Sequence, residues 1–177
     1  REMEPVREEA ARIGDRVLEG KALAGLADMI LMREADPLRA GELADQALAA
    51  IGDADPAARF DALRVRWNAS YWVGHLGEAE TYLTEQMEVA RAAGRKDLES
   101  VALLTRAETY SAMLDMDEAE AKLERARELA EESGTIAPRA RVLLAWSKIY
   151  LSRGHLEQAE TAIQEAQRLF SEAGAVW

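Results

Sequence analysis

The sequence predicts an all-α solenoid of four antiparallel helix hairpins, and three observations carry that reading. First, the stretch Arg95–Gly134 lies without a gap on residues 135–174 when shifted forward by 40, and on residues 55–94 when shifted back. Second, single residues recur at one phase: Gly94, Gly134 and Gly174; Ala79, Ala119 and Ala159, each followed by Glu; and the apolar trio Leu83, Leu123 and Ile163. A fixed period between 20 and 50 residues is the mark of a stacked repeat architecture. Third, no useful stretch alternates with period two, so no strand is expected.

Taken in order, residues 1–14 predict a short helix from Pro5, which is tolerated in a first turn, ending at Gly14. Gly14 stands 80 residues before Gly94, so this piece matches the tail of a preceding repeat. Repeat 1 (15–53) opens with apolar residues at helical spacing: Leu23, Leu26, Ala27 and Ile30. Asp36 and Pro37 read as an N-cap and first position of the next helix, whose buried face is Ala40, Ala44, Ala47, Leu48 and Ile51. This repeat is about one residue shorter at its turn. Repeat 2 (54–94) predicts helices over 57–73 and 77–93, repeat 3 (95–134) over 96–113 and 117–133, and repeat 4 (135–174) over 138–153 and 156–173. Asp97 and Asp117 are the expected caps in repeat 3. The turns Gly74-His75-Leu76, Leu114-Asp115-Met116 and Gly154-His155-Leu156 are short enough to force antiparallel pairs. The whole of 1–177 reads as a single repeat domain.

Composition narrows the function classes. Hydrophobic residues make up 49% and charged residues 31% of 177, as in soluble globular chains. No run reaches the roughly 18 apolar residues of a membrane span, and no segment resembles a secretory signal. Arg1 in place of an initiating Met suggests a piece of a longer chain, so a removed leader stays open. With 33 acidic against 22 basic side chains, the net charge of −11 repels phosphate backbones. No nucleic-acid or membrane partner is therefore expected. Absence of cysteine removes disulfide and thiolate chemistry and fits a reducing, cytoplasmic compartment. Of the 22 basic residues only four are Lys (21, 96, 122 and 148), which with abundant Ala points to a GC-rich bacterial genome.

Within each unit the spacing resembles a tetratricopeptide repeat. In repeat 4, Leu143, Trp146, Ser147 and Tyr150 occupy the first helix, and Gly154, Leu156, Ala159, Ile163 and Ala166 fall at the turn and second-helix core. Repeat 3 matches with Leu103, Ala107, Tyr110, Ala119, Leu123 and Ala126. Small residues at 107 and 147, facing Ala119, Ala126, Ala159 and Ala166, fit close helix approach. The resemblance covers nearly the whole chain, with two departures. The unit is 40 residues rather than the family's 34, and the usual proline after the second helix is missing. In repeat 2, Trp67 takes the small position with Gln86 opposite, which should splay the pair or shift its register.

The resemblance implies a right-handed superhelix whose concave surface is lined by first helices. Its residues here would be Arg64, Asn68, Tyr71, Trp72, Glu108, Arg141 and Lys148. Arg64 and Asn68 lie one turn apart, as in repeats that clamp a peptide's C-terminal carboxylate, and Arg141 falls at a later basic position. Thr105 and Ala145 stand where the clamp has its second Asn and last basic residue, so a general groove for a peptide or partner helix is the better fit. Arrays of this kind resemble the helical-repeat regions of large bacterial signalling and transcription regulators.

No catalytic constellation emerges. His75 and His155 are copies of one turn position, expected to cap a helix or meet solvent rather than bind metal. Glu118, Glu120, Glu124 and Glu128 share a helix with Arg125 and Arg127 and read as a solvated, ion-paired face. Gly20 and Lys21 lack the rest of a phosphate loop. The expected function is a non-catalytic protein-interaction scaffold with no cofactor and no metal. The alternative is a sensor domain binding a small molecule within the superhelix and controlling an attached output domain. Ile163, Ala166, Leu169 and Phe170 on the last helix, with Val176 and Trp177 beyond, suggest a homodimer through the C-terminal repeat.

Overall fold

A computed structural model describes residues 3–174, with side chains from Pro5 onward. The described residues form nine helices and no strand. They pack as two compact units that divide between Ala93 and Gly94.

The first unit holds α1 (Met3–Ile13), α2 (Arg16–Glu34), α3 (Pro37–Ile51), α4 (Pro56–Val73) and α5 (Leu76–Ala92). Each helix packs on the next, and α2 also packs on α4. The second unit holds α6 (Lys96–Ala112), α7 (Met116–Ser133), α8 (Ile136–Ser152) and α9 (Leu156–Glu172), again in sequence, with α6 also on α8. First helices therefore touch first helices within each unit, as stacked hairpins require.

The cores are built from small residues where helices approach. In the first unit Ala27, Ile30, Leu31, Ala40, Ala44, Val65 and Ala69 form one buried cluster. Leu23, Ala24, Ala47, Ile51, Ala58 and Ala62 form another. In the second unit Leu104, Ala107, Ala119, Leu123, Ala145 and Ile149 join α6, α7 and α8, with Tyr110 and Trp146 packed against them. Every alanine expected at a close approach is buried, from Ala79 to Ala166. Gly20 serves the same end: a Cβ there would stand 2.5 Å from Ile51 Cγ1 and 3.0 Å from the Ala47 carbonyl. Its place beside Lys21 thus reflects packing of α2 on α3, and Lys21 itself pairs with Asp55 at 2.7 Å.

Polar cross-links hold two of the hairpins. Gln86 Nε2 on α5 donates to the Phe60 carbonyl on α4 at 3.0 Å, and Ser100 Oγ on α6 donates to the Ala126 carbonyl on α7 at 2.7 Å. Both bonds span 26 residues, so the Trp67–Gln86 hairpin keeps the common register; of the splay or shift expected from its bulky pair, the shift does not occur. Gln86 is fully buried and tied across the hairpin by its amide N–H, its Oε1 having no partner among the described residues, while Trp67 stays half-buried and stacks on Tyr71, ring centroids 5.6 Å apart.

Helix starts depart from expectation in repeat 3. Asp115, not Asp117, caps α7 by accepting from Glu118 N–H, and α6 starts after Arg95 with no side-chain cap. Each helix begins early enough to place Asp97 and Asp117 in its first turn, where negative charge still favours the helix dipole. Asp15 and Asp55 are further caps, alongside the expected Asp36. His75 and His155 stand at N-cap positions but make no side-chain capping bond.

The three short turns share one closure. The N–H groups of His75, Asp115 and His155 donate to the carbonyls of Ser70, Tyr110 and Tyr150 at 2.9, 3.0 and 2.8 Å. That closure needs a left-handed residue just before, and Gly74 and Gly154 supply it. The third hairpin uses Leu114 at φ 63°, 81% exposed. On α9, Ala166 and Leu169 are buried and Ile163 and Phe170 half-buried. Val176 and Trp177 lie outside the described residues.

Two stability outcomes follow from this packing. Ala119→Leu should overpack the α6–α7 contact and lower stability by about 1–3 kcal/mol in urea denaturation; an unchanged midpoint would contradict the close approach. Leu114→Gly relieves a left-handed leucine and should raise stability by roughly 0.5–1 kcal/mol, read from the same curves, whereas a loss would mean the turn is not strained.

Candidate functional site

Helical spacing places Arg64, Asn68, Tyr71 and Trp72 on one face of α4, at i, i+4, i+7 and i+8. Trp72 is 49% exposed, an unusual level for tryptophan, and Asn68 and Tyr71 are half-buried. Arg64 is already engaged, its Nη2 donating to Asp28 Oδ1 on α2 at 3.2 Å. Lys21, Asp28, Asp55, Asp61 and Arg64 surround a shallow cleft of about 430 Å³ between α2 and α4.

In the second unit Lys148 on α8 donates to Glu108 on α6 at 3.2 Å, both residues exposed, and Arg141 lies half-buried two turns earlier on α8. Asp28 and Glu108 occupy the same repeat phase, 80 residues apart. Each unit thus pairs an acid on one first helix with a base on the next. A partner carboxylate aimed at Arg64 would have to displace Asp28, which weakens the clamp suggested by spacing. Thr105, at the clamp's second Asn position, is buried and bonds the Val101 carbonyl of its own helix.

A larger hollow lies in the second unit and was not anticipated. It measures about 670 Å³ and runs between α7 and α9, floored by α8. Leu143, Trp146 and Tyr150 form its floor, with Trp146 and Tyr150 stacked at 5.7 Å. The wall on α9 is Glu157, Gln158, Thr161, Ala162 and Glu165; α7 contributes Glu124 and Arg127. The signal that could have found it is an exchange between repeats rather than a recurrence, because the matching positions in repeat 2 are occupied differently.

Electrostatics is local throughout. The Lys21 ammonium, then the Ala58 N–H, hold the Asp55 carboxyl below its ordinary value of 3.8. The Arg95 guanidinium lowers Asp97 in the same way. Burial pushes the Tyr82 phenol up against the pull of Arg66. Among the described residues no group of three or more His, Asp and Glu side chains is placed to hold a metal ion, and no helix is long and apolar enough to cross a membrane.

No family model matches the sequence, and no curated protein matches it. Solved structures do. The apo form of RapI superposes with a TM-score of 0.70 at 9% identity over 94% of this chain. BtubC (BKLC) from P. vanneervenii superposes with a TM-score of 0.66 at 17% identity over 92% of this chain. The chain spans 61% of the length of RapI and 67% of BtubC. At these identities the likeness is one of fold: an all-helical repeat.

Because the folded-state value of Asp55 is depressed, its contribution is complete above the ordinary 3.8 and is lost as pH falls through the lower, folded value. Asp55→Asn should therefore flatten the acid limb of a stability–pH curve below that point. An equally steep limb in the variant would show that the Lys21 pair adds nothing.

Proposed function

We propose that the chain is a non-catalytic protein-interaction module of the tetratricopeptide type, binding a peptide or partner helix on its first helices. The observation that carries this is the exposed Trp72 beside Tyr71, Asn68 and Arg64 on one face of α4. Aromatic and Arg side chains are the usual anchors of interfaces, and leaving a large indole half in water has no packing benefit. Glu108, Arg141 and Lys148 are the corresponding polar set on α6 and α8. Their acid–base pairs favour a partner of mixed charge, since each pair presents both signs at its rim. A cytoplasmic regulator of bacterial origin, with an output domain elsewhere in a longer protein, is the setting this reading suggests. No cofactor is required by it.

The small-molecule sensor reading is less favoured. The hollow between α7 and α9 is open and rimmed by carboxylates, whereas an apolar ligand calls for enclosure.

Peptides selected from a random display library against the whole chain supply the test. The double variant Arg64→Ala, Trp72→Ala should bind the selected peptides at least about tenfold more weakly with an unchanged melting temperature. Undiminished binding by the double variant would place the partner surface elsewhere.

A further inference from the structure

The hollow in the second unit has a filled counterpart in the first, and the difference is a swap of side chains at equivalent positions. Adding 80 to a residue number carries α4 and α5 onto α8 and α9. In the first unit the position between α3 and α5 is closed by Arg66, whose side chain is only 18% exposed. Its Nε donates to Asp45 at 2.8 Å and its Nη1 to Ser70 at 2.5 Å, while Nη2 lies 3.6 Å from Glu78. The guanidinium carbon also sits 4.8 Å above the centre of the Tyr82 ring. An arginine and a tyrosine together plug that site.

In the second unit neither plug residue is present. Trp146 stands in place of Arg66, Tyr150 in place of Ser70, and Ala162 in place of Tyr82. Removing the ring at 162 opens the wall, and a flat indole at 146 supplies a floor instead of a cation. The result is the 670 Å³ hollow. Its rim carries three carboxylates against one guanidinium, and that Arg127 is already paired with Glu124 and, at 3.3 Å, with Glu131. Glu165 pairs with Arg168 on its own helix at 2.9 Å. Glu157 is exposed and has no ion pair among the described residues. An aromatic floor beside an unneutralised carboxylate is a seat for a cation with a planar face.

We propose that the hollow between α7 and α9 is a docking site for a peptide segment carrying an arginine next to an aromatic residue, which supplies in trans the plug that Arg66 and Tyr82 supply in the first unit. The guanidinium stacks on Trp146 and Tyr150 and pairs with Glu157. The aromatic ring fills the space that Ala162 leaves. This site is separate from the α4 face and goes beyond the reading above; either can fail without the other.

The probe is the blocked peptide acetyl-Ala-Arg-Tyr-Ala-amide, titrated into the whole chain while the tryptophan indole N–H resonances are followed by NMR. The Trp146 signal should shift, and the Trp72 signal should not. The same peptide with citrulline for arginine, which keeps the shape and removes the charge, should bind at least about tenfold more weakly. Glu157→Gln should bring the arginine peptide down to the citrulline level without moving the melting temperature. The double variant Trp146→Arg, Ala162→Tyr rebuilds the internal plug and should abolish binding while remaining folded. Equal binding of the two peptides, an unaffected Glu157→Gln variant, or shifts at Trp72 with Trp146 unmoved would each overturn the proposal.

Discussion

The packing of this chain depends on how closely its helices can approach, and that is set by alanine. Ala44, Ala47, Ala119, Ala126 and Ala166 have no exposed surface at all, and Gly20 sits where even a methyl group would collide with α3. Well-packed interiors leave little room for extra volume, so these positions fix the distance between paired helices. Once that distance is set, the longer side chains beside the contact either fill the remaining space or leave it open.

Each unit uses that freedom differently on the same frame. The α4–α5 hairpin places a glutamine where α6–α7 has alanine, and keeps it buried by one bond to the Phe60 carbonyl. The α6–α7 hairpin makes its cross-link from the opposite helix, through Ser100. At the next position outward an Arg–Tyr pair closes one unit, and a Trp–Ala exchange leaves the other hollow. Function in repeat proteins is often written in such departures, because the recurring positions are already committed to packing. Charges on the first helices follow the same logic, paired between first helices of successive hairpins as Asp28 with Arg64 and Glu108 with Lys148.

Much of the fold was legible in the sequence because a gap-free period constrains every repeat at once. The glycines at 94, 134 and 174 marked helix ends, and the small residues at 107 and 119 marked the contact. Cap identity was harder: Asp115 and Asp117 are both plausible from composition, and only the turn closure onto the Tyr110 carbonyl decides which one precedes the helix. The site was less legible still. Arg64 and Lys148 read as open anchors, because a sequence does not show that a carboxylate 36 or 40 residues earlier lies within bonding distance. The hollow needed attention to what changes between repeats, namely Arg66 against Trp146 and Tyr82 against Ala162, rather than to what recurs.

The most direct test of the packing account is a methyl–methyl NOE spectrum of the isotopically labelled protein. Ala107 on α6, Ala119 and Leu123 on α7, and Ala145 and Ile149 on α8 share one buried cluster. Their methyl groups should give a connected network of cross-peaks linking all three helices. If the α6 and α7 methyls showed no cross-peaks to one another, or none to α8, the alanine-set approach of stacked hairpins would be contradicted.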